Sequence, residues 1–209
     1  MPDPYLTPRN TTEHEIDIRR SRFLCAIGQV TSEEEAREFI AGRKRLYCDA
    51  THNCSAYVIG GDRRIQRADD DGEPGGTAGT PMLETLLRRG VADVVAVVTR
   101  YFGGVKLGAG GLVRAYGSSV GKTLDLTPLV EMVPARVMAV TVDHVQAGRL
   151  ENDLRISPYE VREVRYGAEV GFRVAVRERD LAGFPGWVAT LTAGRARIEQ
   201  GETVHLKNS

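Results

Sequence analysis

A strand that runs into a glycine-rich turn and then into a helix restricts what this chain can fold into. That stretch is Val94–Gly117, VVAVVTRYFGGVKLGAGGLVRAYG. Val94–Val98 is apolar and rich in β-branched residues, which predicts a buried strand. Thr99 and Arg100 place polar groups at its end, and Tyr101 and Phe102 follow. Gly103, Gly104, Gly108, Gly110 and Gly111 come next, with the cation Lys106 among them. Apolar spacing then becomes helical through Leu112, Ala115, Tyr116 and Ser119. A strand, a glycine turn and a helix N-terminus can turn backbone N–H groups toward an anion.

The rest of the chain is arranged around this stretch. Met1–Asn10 holds three prolines and reads as a loosely held tail. Glu13–Arg20 and Ser21–Val30 read as strands with a tight connection. Ser32 begins a helix as N-cap, with Glu35 as the reciprocal half of a capping box. Arg43, Lys44 and Arg45 close that helix, where cations suit its dipole. Asn53–Ile59 predicts a strand, Gly60-Gly61-Asp62 a turn, and Arg63–Ala68 a return strand with Ile65 facing inward. The loop DDDGEPGGTAG (69–79) leads to Thr80-Pro81, read as an N-cap and first helical residue. A helix over Pro81–Arg89 and the organising strand follow, and helix Leu112–Leu124 stops near Thr127-Pro128.

A domain boundary falls there, giving residues 1–129 and 130–209. Past it the pattern restarts: strand Ala135–Val142, a helix capped by Asp143, and strands Tyr159–Tyr166 and Val170–Val176. A helical stretch around Phe184 and Val188, interrupted at Pro185-Gly186, and strand Ala196–Leu206 complete it. That order, β-α-β-β-α-β, is ferredoxin-like, and the whole chain reads as α+β.

The 209 residues carry 28 basic and 28 acidic side chains. A strongly basic nucleic-acid binder looks different, so any RNA contact must come from a local patch. No apolar run approaches the ~20 residues of a membrane span, and the N-terminus lacks the features of a secretory signal. Three cysteines, Cys25, Cys48 and Cys54, fit a reducing cytoplasm. Cys48, His52 and Cys54 match no common zinc spacing, so neither a metal nor a cofactor is expected.

Two loops carry the candidate chemistry. In RYFGGVKLGAGG (100–111), glycines permit close approach while Arg100 and Lys106 supply charge. This is not a Walker loop, and Gly121-Lys122-Thr123 lies inside the helical pattern. In the second loop, Asp70, Asp71 and Glu73 could hold a divalent ion or act as acid and base; the plainer reading is a solvated turn packed beside the first. Tyr101-Phe102 can stack on bases or anchor a protein, or finish the strand, one ring facing each way. The candidate binding residues are therefore Arg100, Tyr101, Phe102, Gly103, Gly104, Lys106, Gly108 and Gly110 on one side. Asp70, Asp71, Glu73, Thr77 and His52 lie on the other. No catalytic residue is assigned.

The blocks VVTRYFGGVKLG (97–108), DDGEPGGTAGTP (70–81) and DATHNCSAY (49–57) together resemble the IMPACT/YigZ family in order and spacing. The resemblance spans most of Glu13–Leu126. It implies an N-terminal α/β domain with a left-handed βαβ crossover, as in domain four of elongation factor G and the GHMP kinases. The C-terminal half resembles the last domain of elongation factor G. Eukaryotic relatives restrain a starvation-responsive initiation-factor kinase by binding its activator. The extra partner domain of those relatives has no counterpart here, so the implied role is the broader one of translation-linked binding.

Two functions are therefore expected to compete. One is a non-enzymatic binding protein that meets the ribosome, structured RNA or a translation-associated protein through the glycine-rich surface. The alternative is an enzyme taking a phosphorylated small molecule or nucleotide at the same turn.

Overall fold

The computed structural model describes residues 3–208. It separates into two compact units, one formed by Tyr5–Glu131 and one by residues 132–208 together with Asp3 and Pro4.

In the first unit the elements are β1 (Tyr5–Pro8), β2 (Thr12–Ile18), β3 (Ser21–Gln29), α1 (Glu33–Leu46), β4 (His52–Ile59), β5 (Ile65–Asp69), α2 (Gly79–Arg88), β6 (Val94–Tyr101) and α3 (Ala109–Leu126). The sheet order is β2-β3-β6-β4-β5, with every neighbouring pair antiparallel. Strands β3 and β4 thus run parallel on either side of β6, joined by the α1 crossover. Residues Val94–Val98 of β6 are wholly buried because helices cover both faces of the sheet. Ala36, Phe39 and Ile40 of α1 pack on Val95 and Val97. Helices α2 and α3 lie against the other side, with Met82, Leu86, Tyr116 and Val120 fully buried. A strand covered on both faces reads as a continuous apolar run rather than an alternation.

Capping follows side-chain chemistry with one displacement. The Glu35 N–H donates to Ser32 Oγ at 3.2 Å. The Glu35 carboxylate reaches back one residue further than a capping box requires and accepts from the Thr31 N–H at 2.6 Å. At the other end of α1 the basic residues do more than suit the dipole: Arg43 pairs with Glu13 and Lys44 with Asp71.

The expectations for the N-terminal segment and for β5 fail. The N-terminal segment is not a loose tail from Tyr5 onward; Met1 and Pro2 lie outside the described residues. Tyr5 is buried and its hydroxyl donates to Asp93, while the Ala92 N–H donates to the Leu6 carbonyl. Proline removes donors but does not prevent an aromatic anchor from tying the segment down. Strand β5 begins at Ile65, and Ile65 is 43% exposed rather than inward. As the edge strand, β5 has no buried side chain.

β7 (Leu129–Val142) spans the division between the units. Beyond it lie α4 (His144–Arg155), β8 (Glu160–Tyr166), β9 (Val170–Arg177), a 3-10 turn at Glu178–Asp180, α5 (Phe184–Thr192) and β10 (Arg197–Lys207). The antiparallel order β10-β7-β9-β8 is the ferredoxin-like arrangement. Leu150, Leu154, Phe172, Val174, Phe184 and Val188 form its core. Asp143 caps α4 by accepting from the Gln146 N–H at 2.9 Å. Pro185 does not interrupt α5 but sits in its first turn, where a missing N–H costs nothing. Among the described residues no helix is long and apolar enough to cross a membrane.

Candidate functional site

Strand register assembles the site. Arg100, near the end of β6, lies opposite Phe23 on β3 and His52 on β4, so the three side chains share one face. The face is that of α2 and α3, because Val94, Ala96, Val98 and Arg100 alternate onto it. Beyond β6 the chain turns through Phe102–Gly108 into α3. A cleft of about 470 Å³ opens there, walled by His52, Glu73, Arg100, Phe102, Lys106 and the first residues of α3.

Its floor is a buried ion pair. Arg100 Nη1 donates to Glu73 Oε1 at 2.6 Å, with side-chain exposures of 6% and 3%. Tyr116 on α3 donates its hydroxyl to the same oxygen at 2.8 Å. The guanidinium lies between two rings, 5.4 Å from the centre of Phe23 and 5.5 Å from that of Phe102. Cys54 Sγ sits 3.0 Å from the Asp70 carbonyl and 3.3 Å from the Tyr116 hydroxyl. Burial pushes the Cys54 thiol up to about 12 and raises the Tyr116 hydroxyl as well. Both stay protonated at neutral pH, so neither is an activated nucleophile.

The carboxylate-rich loop is held from within. Asp70 accepts from the N–H groups of Gly76, Ala78 and Gly79 at 2.8, 2.9 and 2.8 Å. It thereby caps α2, which starts at Gly79 and not at Pro81; Thr80 is no cap. Burial works to raise the Asp70 carboxyl, but those amide bonds outweigh it and hold the group below its ordinary range. Asp71 accepts from the Asn53 N–H at 2.6 Å and pairs with Lys44 at 2.6 Å. The Thr77 hydroxyl is turned onto the Pro74 carbonyl. These three residues shape the loop and do not wall the cleft. No cluster of metal-ligating side chains occurs among the described residues.

On the other loop, Arg100, Phe102, Lys106 and Gly108 wall the cleft and Tyr101 does not. The two rings point to opposite faces: Phe102 is 47% exposed at the cleft, whereas Tyr101 donates to Asp49 at 2.9 Å. Gly103 is a packing glycine. A Cβ there would lie 1.8 Å from the Arg20 carbonyl oxygen, so the β2–β3 turn presses directly on the glycine loop. Gly104 and Gly110 are exposed. Among the described residues, the N–H groups of Ala109, Gly110 and Gly111 find no acceptor and no side chain caps α3.

Sequence reasoning missed the cations that gather here. Arg19 and Arg20 form the β2–β3 turn, both with left-handed backbones. Arg19 and Arg114 wall a second hollow together with Leu107 and Gly111. With Lys106 they make a set of four exposed cations, none engaged in an ion pair or side-chain hydrogen bond among the described residues. Tyr116 was also missed as a site residue, since its helical spacing reads as core. The adjacent pair Arg19-Arg20 in a hairpin turn was the available signal, but its nearness to residue 103 is not.

A family model for the Impact N-terminal domain matches residues 19–124, which takes in both loops and all four cations. A relative named IMPACT family member YvyE, from Bacillus subtilis, is 48% identical over 98% of this chain and 94% of its own length. The chain belongs to the IMPACT family. A second member, YigZ from Escherichia coli, is 34% identical over 87% of this chain and 90% of that one. A crystal structure described as that of a hypothetical protein superposes with a TM-score of 0.82 at 32% identity, covering 97% of this chain and 99% of that one. A domain of unknown function (DUF1949) matches residues 140–195, so the two-part build of this IMPACT chain is shared with its bacterial relatives.

Proposed function

We propose that this IMPACT-family chain is a non-enzymatic binding protein linked to translation regulation, and that it grips structured RNA over the glycine-rich end of its first unit. The observation that carries the reading is the coincidence of four unpaired cations, Arg19, Arg20, Lys106 and Arg114, with the uncapped N-terminus of α3. Cations and free amides are the groups that meet phosphate oxygens. Because the chain as a whole is neutral, this local excess of charge supplies an RNA footprint that the composition does not. Exposed Phe102 adds a ring on which a base can stack. The link to translation rests on family membership and on what the family resemblance implies. The protonated Cys54 and Tyr116 fit binding better than covalent catalysis.

Co-sedimentation with purified ribosomal subunits in ~0.1 M salt tests this. The wild-type chain is expected to pellet with them, and Lys106→Glu to bind about tenfold more weakly, since one phosphate contact is lost. Lys106 is exposed and unpaired, so the exchange leaves the fold intact. Equal pelleting of both proteins, or of neither, counts against the reading.

A further inference from the structure

We infer that the cleft beneath Phe102 is a receptor for one phosphorylated nucleoside unit. This deepens the RNA reading, on which it rests for the source of the nucleotide, by naming the group that enters the cleft.

Two features at the cleft wall ask for a ligand with opposite needs. The first is the start of α3, where Ala109 opens an 18-residue helix whose leading N–H groups have no acceptor among the described residues. A helix end of this kind carries roughly half a positive charge, and Lys106 stands beside it on the same wall. That end suits a phosphate.

The second is a pair of facing acceptors. His52 Nδ1 lies 2.8 Å from the Asp71 carbonyl oxygen. A carbonyl only accepts, so Nδ1 carries a proton, and in the singly protonated imidazole Nε2 is then an acceptor. Nε2 looks toward Glu73 Oε2 at 3.9 Å, too far for a hydrogen bond. Oε1 of that carboxylate takes both Arg100 and Tyr116, which leaves Oε2 without a donor. Glu73 is more than nine-tenths buried, but its Oε2 is not enclosed and stays within reach of a donor that enters the cleft. Arg100 is buried likewise, and its Nε has no acceptor. An exocyclic amine, with its two N–H groups, or the two hydroxyls of a ribose can donate to both acceptors.

Between these polar ends the wall is apolar, through Phe102, Leu107 and Leu112. A base fits against it. The volume, about 470 Å³, is in the range of small-molecule pockets. Phosphate at one end, donor at the other and an aromatic plane between them describe a nucleotide better than a bare anion.

Calorimetric titration with the four nucleoside 5′-monophosphates, the matching nucleosides and inorganic phosphate tests the inference. The controlling variant is Ala109→Asp. Ala109 is exposed, and a carboxylate at the first position of α3 suits the helix dipole, so this protein should melt no lower than wild type. At least one monophosphate is expected to bind, its nucleoside at least tenfold more weakly, and Ala109→Asp to lose at least tenfold in affinity. Absence of monophosphate binding, equal binding of the nucleoside, or indifference to Ala109→Asp overturns the receptor. A 5′-phosphorylated oligonucleotide that displaces the mononucleotide, where its 5′-hydroxyl counterpart does not, identifies a strand end as the source; failure of both to displace it identifies the free nucleotide. Salt-dependent RNA binding that survives without mononucleotide binding removes this inference alone, whereas mononucleotide binding without RNA binding removes the RNA reading.

Discussion

Glu73→Ala is expected to destabilise the first unit by about 3–5 kcal/mol, the usual cost of removing one partner of a buried ion pair. Arg100 would be left almost fully buried, between Phe23 and Phe102, with its charge uncompensated. Tyr116 would lose its acceptor in the same step. With urea m-values of ~1–3 kcal/mol/M for small proteins, the unfolding midpoint should fall by about 2 M. The double exchange Glu73→Leu with Arg100→Met separates charge from packing. Replacing both members of such a pair with apolar groups is often nearly neutral, so the double variant should recover most of the loss. A double variant as unstable as the single one would mean that the pair is not the source of the effect.

Gly103→Ala is expected to be the second most damaging single change. The new Cβ would stand 1.8 Å from the Arg20 carbonyl oxygen and 2.1 Å from its carbonyl carbon. Backbone cannot yield as a flexible side-chain tip does, so the β2–β3 turn must separate from the end of β6. The hydrogen bond from the Gly103 N–H to Ser21 Oγ at 3.2 Å would go with it. Overpacking of this kind costs roughly 3 kcal/mol. Because Arg19 and Arg20 ride on that turn, affinity for RNA should fall along with stability. Gly75→Ala is the control: nothing lies within 4 Å of its Cβ position, and its midpoint should match wild type. Equal midpoints for Gly103→Ala and Gly75→Ala in urea titration would contradict the close approach.

How far the sequence alone discloses this molecule depends on the range of each interaction. The buried strand Val94–Val98, the Ser32 and Asp143 caps and the β-α-β-β-α-β order are local patterns, and all are legible. The cap of α2 is not. Its carboxylate, Asp70, comes from nine residues before Gly79, and Thr80-Pro81 offers a plausible local substitute that the fold does not use. Arg100 reads as a free cation on the glycine turn, yet it is buried against Glu73, 27 residues away. The clustering of Arg19 and Arg20 with Lys106 and Arg114 needs the β3–β6 register, which no local pattern encodes. Thus the stretches that wall the candidate cleft are legible, while the division between residues that build it and residues that face outward is not.

The central claim is that the exposed cations meet phosphates, and salt dependence reads this directly. The dissociation constant of the full chain for a structured RNA should be measured from low to moderate salt. If Arg19, Arg20, Lys106 and Arg114 each neutralise one phosphate, the slope of log affinity against log salt should be about −3, and Lys106→Glu should make it shallower by about 1. An affinity that stays flat across that range, or a slope unchanged by Lys106→Glu, would contradict the account.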